Sequence, residues 1–149
     1  DVFCAEQNVE VYVAAVINGV ASACINKEWK ALHFVSQMDY NYFNIVANMD
    51  AFIVDYGVEV FDFLLLHKPM AYMLRDEKEM QRIEGFAFSD LKQVMPGQHL
   101  YNIEDVQAFM CSVAKKEDPY QKERDVLYQS MPQSKQYCKD ILDRFQIKL

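Results

Sequence analysis

The chain predicts a Rossmann-like α/β fold, a parallel sheet flanked by helices in three layers, and the pattern of its apolar residues is the main reason. Short, continuously apolar, β-branched runs alternate with stretches whose apolar residues recur at three-to-four spacing. Glycine and proline number only four each, so those present mark element boundaries clearly. A length of 149 residues suits a single domain, residues 1–149. At 52% hydrophobic and 13% aromatic, the chain carries enough apolar side chains for a sizeable core. Chains of this size bury about 68–70% of their unfolded surface on folding, so intrinsic disorder is not expected.

Residues 9–17 (VEVYVAAVI) read as a first strand, buried on both faces and stopped by Asn18 and Gly19. Residues 20–27 form either a short helix or a loop, and residues 32–35 (LHFV) a second strand. Asp39 is placed to cap a helix over residues 40–48, with Phe43, Val46 and Ala47 on one face. Residues 51–54 (AFIV) make the best central strand, and Asp55-Tyr56-Gly57 turns it into an apolar helix over residues 58–66. That helix ends at His67-Lys68-Pro69, because the residue before proline avoids helical geometry. Residues 70–74 (MAYML) return as a strand. The charged segment 75–84 and a loop then lead to Pro96-Gly97 and a brief strand at residues 99–101. Asn102 caps a helix bearing Ile103, Val106, Phe109, Met110 and Val113, with Glu104 and Asp105 complementing its dipole. Pro119 and Pro132 set off C-terminal helices within residues 119–147, the last presenting Tyr137, Ile141, Leu142 and Phe145 on one face.

A formal net charge of -7 and a pI near 4.9 argue against broad binding to nucleic acid or anionic lipid, which requires a field of Lys and Arg. The four cysteines, Cys4, Cys24, Cys111 and Cys138, form no CxxC pair, so reduced thiols in a cytoplasmic protein are expected. No apolar run approaches the roughly 18 residues of a transmembrane helix, and no basic segment precedes an apolar one at the start. Neither a metal cluster, a nucleophile elbow nor a GxGxxG run is present, so no metal and no cofactor are expected. The chain opens on Asp1 close to an apolar run and reads as a domain cut from a longer polypeptide.

Sheets of this type bind ligands beyond the carboxyl ends of their strands, which directs attention to the turn after residues 51–54. The turn reads Asp55-Tyr56-Gly57-Val58-Glu59-Val60-Phe61-Asp62-Phe63 and continues to His67-Lys68-Pro69-Met70. This stretch resembles the signature TDYSSVxFDxxxLxKPxxFY of the CDP-glycerol glycerophosphotransferase family of bacterial teichoic-acid and capsule polymer synthesis. Further similarities follow in order: an acidic stretch at 76–79, Gly85-Phe86-Ala87-Phe88-Ser89-Asp90 against RGFYFD, Pro96-Gly97 against PGP, and residues 102–110 against TxEELxxAI. Upstream, the run ending in Asp50-Ala51-Phe52-Ile53-Val54-Asp55 resembles ADILITDY. The resemblance is strongest over residues 32–110.

It implies the C-terminal, donor-facing half of a GT-B glycosyltransferase, with the N-terminal half lying outside these residues. The implied activity is transfer of glycerol phosphate from CDP-glycerol, or a related CDP-polyol, to a polyol-phosphate or glycan acceptor. The implied location is the cytoplasm, peripheral at the inner face of a bacterial plasma membrane through parts outside this chain. Carried over residue by residue, Asp55, Tyr56, Gly57, Val58 and Glu59 form the donor and phosphate turn, with Pro96 and Gly97 in a loop beside it. Asp62, Lys68 and Pro69 are structural parts of the motif.

The departures fall on the chemistry. Gly57 and Val58 stand where the signature has two serines, so the backbone donors and helix dipole of an anion site remain but both hydroxyls are lost. Glu59 adds a negative charge to the same turn. Val16-Ile17 stands where the family has a His-Pro element, and His33, His67 and His99 lie elsewhere, so no catalytic residue is assigned. A degenerate, non-catalytic module serving structure or protein interaction is therefore the alternative reading.

Single residues carry plainer readings as well. Asp55 either positions the donor or caps the following helix, and Asp62 is expected to hydrogen-bond a neighbouring loop. His67 suits a helix C-cap. His99 follows the Pro96-Gly97 loop and can face the cleft, but lacks a companion nucleophile at readable spacing. Arg75, Asp76, Glu77, Lys78 and Glu79, with Arg82 and Glu84, have the mixed signs of a solvated face. Tyr40, Tyr42 and Phe43 read as core packing, and the eight methionines as gap-fillers.

Overall fold

A computed structural model describes residues 1–14, 28–35, 42–57, 59–86, 88 and 90–131. In chain order these form α1 (Val2–Glu6), β1 (Val11–Ala14), β2 (Leu32–Val35), α2 (Tyr42–Asn48), β3 (Phe52–Val54), α3 (Glu59–Leu64), β4 (Met70–Met73) and α4 (Glu77–Ile83). A 3₁₀ turn at Leu91–Gln93, β5 (Gln98–Leu100), α5 (Ile103–Ala114) and α6 (Gln121–Ser130) complete them. The readings of residues 20–27, of Asp39 and Tyr40, and of the last helix lie outside the described residues.

All strand pairing among the described residues is parallel. β1 pairs with β2, and β4 lies between β3 and β5, with Phe52 opposite Met70 and Ala71 opposite Gln98. The described strands thus fall into two sheets, β1-β2 and β3-β4-β5, where the sequence suggested one.

The side-chain alternation of β4 builds the layers. Met70, Tyr72 and the following Leu74 join Phe52, Val60, Leu64 and Met95 in one core cluster, against which Leu127 of α6 packs. Ala71 points the other way and meets Leu100 and Phe109, with Val106 and Val113 of α5 beside them. Helices α3 and α6 cover one face and α5 the other, which is the Rossmann-like three-layer arrangement.

Local chemistry explains several boundaries. Asn102 accepts a hydrogen bond from the Asp105 amide at 2.9 Å and starts α5 as the sequence predicts. Lys68 donates through Nζ to the carbonyls of Ala47, at 2.8 Å, and Met49, so its ammonium closes the negative end of α2. Next to it, the Pro69 carbonyl accepts from the Phe52 amide at 2.9 Å and opens the β3-β4 ladder. Pro96 and Gly97 are buried at the entrance to β5. A Cβ on Gly97 would lie 2.3 Å from the Met70 carbonyl oxygen and 2.7 Å from the Tyr72 ring, so only glycine permits this approach.

Two local features depart from the expected pattern. Phe43 is 77% exposed, while Val46 of the same helix packs on the core, so the two do not share a buried face. Helix α1 was not signalled by periodicity. It is anchored where Asp1 accepts from the Lys30 and Ala31 amides at 3.0 and 2.8 Å, with Cys4 buried behind it. No helix among the described residues is long and apolar enough to cross a membrane.

Replacing Gly97 by alanine should lower stability by about 1–3 kcal/mol, the usual cost of overpacking a tight site. Urea unfolding of the variant checks this, and an unchanged midpoint would show that the contact with Met70 relaxes freely.

Candidate functional site

Asp55 follows β3 directly and therefore sits on the carboxyl edge of the sheet. Its Oδ1 accepts from the Gly57 amide at 3.1 Å. The carboxylate thus closes the turn and occupies one backbone donor that a phosphate would otherwise use. Tyr56 donates through its hydroxyl to Asp76 Oδ1 at 3.1 Å and stacks on Phe86 with ring centres 5.2 Å apart. Burial, the Asp76 hydrogen bond, and the charges of Asp76, Glu77 and Asp55 push the Tyr56 phenol well above its usual range. The turn therefore sits in a negative field. Val58 and the Glu59 side chain lie outside the described residues.

Pro96 and Gly97 do not join this turn. The register sets Gln98 opposite Ala71 and Ala71 opposite Ile53, so Gly97 is level with Phe52 at the amino edge. Asp55 is level with Leu100, three residues along, which in a strand is about 10 Å. The structural reason for the loop's position is the contact between Gly97 and β4 already described.

The Asp62 side chain is exposed and makes no hydrogen bond among the described residues, in contrast to the expected tie to a neighbouring loop. His67 adopts a left-handed backbone (φ 52°) at the end of α3, its amide donating to the Leu64 carbonyl at 3.2 Å. Its ring does not cap α3. Instead Nδ1 lies 3.3 Å from Asp125, with the ring edge-on to Tyr128, both on α6. His33 stacks on Tyr12 and lies 3.7 Å from Glu10. No group of three or more metal-ligating side chains occurs among the described residues.

The structure adds a cleft of about 450 Å³ that the sequence reading did not assemble. Its walls come from Leu74 after β4, Glu77, Lys78 and Gln81 of α4, Phe86, Asp90 and Leu91 of the connecting loop, and His99 and Tyr101 of β5 and its end. His99 Nε2 lies 3.1 Å from the Met95 carbonyl. A carbonyl only accepts, so Nε2 carries a proton, and the tautomer with that proton offers Nδ1 as an acceptor. Tyr101 donates its amide to Asp105 at 2.8 Å, and burial with the charges of Glu77 and Asp105 raises its phenol. One signal could have found this cleft: residues 75–78 follow the predicted strand 70–74 and Tyr101 ends the predicted strand 99–101, on the edge where such sheets bind ligands.

A Rossmann-like α/β domain offers the carboxyl edge of its sheet to ligands, although fold alone does not specify chemistry. The chain belongs to the CDP-glycerol:poly(glycerophosphate) glycerophosphotransferase family, whose profile matches residues 20–136. Searches among curated proteins and among solved structures returned no match.

Burial raises the Tyr72 phenol too, with the Arg124 guanidinium partly opposing it. Both Tyr56 and Tyr72 stay protonated in the folded state where an unfolded tyrosine, with its usual value of 10.0, ionises. Their contribution to stability is therefore complete below pH 10 and is lost as pH rises above it, because the unfolded state then binds fewer protons. Urea unfolding across this alkaline range should show falling stability, with a shallower fall in Tyr56→Phe. An identical slope in the variant would place no titration load on Tyr56.

Proposed function

We propose that this domain serves the donor side of a glycerophosphotransferase that moves glycerol phosphate from CDP-glycerol, or a related CDP-polyol, to a teichoic-acid or capsule-type polymer. Family membership over residues 20–136 carries this reading. The position of Asp55, Tyr56 and Gly57 at the carboxyl edge supports it. In the reaction an acceptor hydroxyl attacks the donor's β-phosphate, a new phosphorus–oxygen bond forms, and CMP leaves with the electrons of the bond that breaks. The hydroxyl proton goes to a base outside this domain. The contribution of the segment Asp55, Tyr56, Gly57, Val58 and Glu59 is to orient the diphosphate through backbone amides. Lys68, Pro69, Pro96 and Gly97 hold β4 and its neighbours in place, and Asp62 belongs to the same motif. The enzyme acts in the bacterial cytoplasm, at the inner membrane face where its polymer grows.

One observation favours a non-catalytic module: the Asp55 carboxylate already holds the Gly57 amide, in a turn flanked by Asp76 and Glu77. A thermal-shift titration with CDP-glycerol, CDP and, as control, ADP separates the two readings. Ligand at about 100 times Kd should stabilise the fold by about 2.7 kcal/mol, or roughly 5–11 °C at this size. A cytidine-selective shift supports the donor role, and no shift at millimolar ligand supports the module.

The combined variant Gly57→Ser, Val58→Ser, Glu59→Val restores two hydroxyls and removes one negative charge. CDP-glycerol should bind it about tenfold more tightly or better, the equivalent of one charge-assisted hydrogen bond. Unchanged affinity in calorimetry would show that the turn does not contact the diphosphate.

A further inference from the structure

The cleft walled by α4, the connecting loop and the end of β5 has a size and a lining of its own. Its volume of about 450 Å³ falls within the usual range for small-molecule sites. Its polar groups are of both kinds. Glu77, Asp90 and His99 Nδ1 offer acceptors, while Lys78 and the Gln81 amide offer donors. Asp90 accepts a hydrogen bond from Gln93 Nε2 at 3.3 Å.

A hydroxyl both donates and accepts, so a ligand bearing several of them can satisfy walls of mixed type. A phosphate would meet the carboxylates Glu77 and Asp90, so charge selects against an anion, while an organic cation would bring few acceptors for Lys78 and the Gln81 amide. Phe86 and Tyr101 supply flat apolar surface beside these groups. Phe86 is held by its stack on Tyr56, whose hydroxyl is fixed to Asp76, and His99 is held by the Met95 carbonyl and the edge of the Tyr72 ring. Phe86 and His99 are thus positioned before any ligand arrives, which lowers the entropic cost of binding.

We propose that this cleft binds an uncharged sugar ring, its hydroxyls bonded by Glu77, Gln81 and His99 and its apolar face laid on Phe86 and Tyr101. The site lies beside the Asp55 turn and does not require the turn to hold a nucleotide.

The test is a titration of the full chain with glucose and N-acetylglucosamine, followed by amide NMR, with glucose 6-phosphate and choline as charged comparators. Saturable millimolar binding of a neutral sugar is expected, with shifts at Phe86, His99 and Tyr101. Binding should weaken about tenfold in both Gln81→Ala and His99→Asn. Gln81 is exposed on α4, so its variant keeps the fold if His99→Asn does not. No saturable shift at tens of millimolar sugar overturns the proposal. So does equal or tighter binding of glucose 6-phosphate or choline, or unchanged sugar affinity in Gln81→Ala. A CDP-dependent thermal shift without sugar binding overturns only this proposal and leaves the donor reading standing. Sugar binding without a CDP shift does the reverse.

Discussion

Gly97 rests against the Met70 carbonyl at a distance no other residue allows, and the register of β5 on β4 follows from that contact. With Gly97 seated, Gln98 falls opposite Ala71, His99 opposite Tyr72 and Leu100 opposite Met73. His99 then lies on the same face as Tyr72 and within reach of the Met95 carbonyl, while Leu100 turns to the opposite core with Ala71 and Phe109. A slip of one residue would exchange these faces, burying the imidazole beneath α5 and exposing a leucine. The cleft at the carboxyl edge therefore depends on packing at the amino edge.

The same end of β4 is also governed by charge. Lys68 reaches back to the last carbonyls of α2, and the adjacent Pro69 begins the pairing with β3. One dipeptide thus couples a helix terminus to the first rung of a sheet, which accounts for a Lys-Pro pair at this point without any role in chemistry. The carboxylates Asp55, Asp76 and Glu77 gather on the opposite edge, where Tyr56 donates a hydrogen bond to Asp76 and stays neutral.

Elements with local causes were legible from the residues alone. β2 shows as a short apolar run, and α5 as a three-to-four stripe behind an Asn cap. Features with long-range causes were not. Helix α1 has no apolar period, and its anchor is a carboxylate bonded to amides about thirty residues away. Arg124 lies in a strongly polar helix, yet it is 3% exposed and paired with Asp118, with Nε and Nη1 without a hydrogen-bond partner among the described residues. The order of motifs along the chain placed Pro96-Gly97 beside Asp55, but a strand separates them because chain order does not say which end of a strand a loop adjoins. The cleft was hidden for the same reason, since its walls come from three separate segments.

The Asx turn at Asp55 makes the site its own competitor. The carboxylate that answers the Gly57 amide is tethered two residues away, so its effective concentration is set by backbone geometry rather than by what the surroundings supply. A free anion binding through that amide alone contends with this built-in ligand at every encounter and loses. In the donor reading, occupancy of the turn would fall to molecules that bring binding energy from a second point of contact, which small inorganic anions lack.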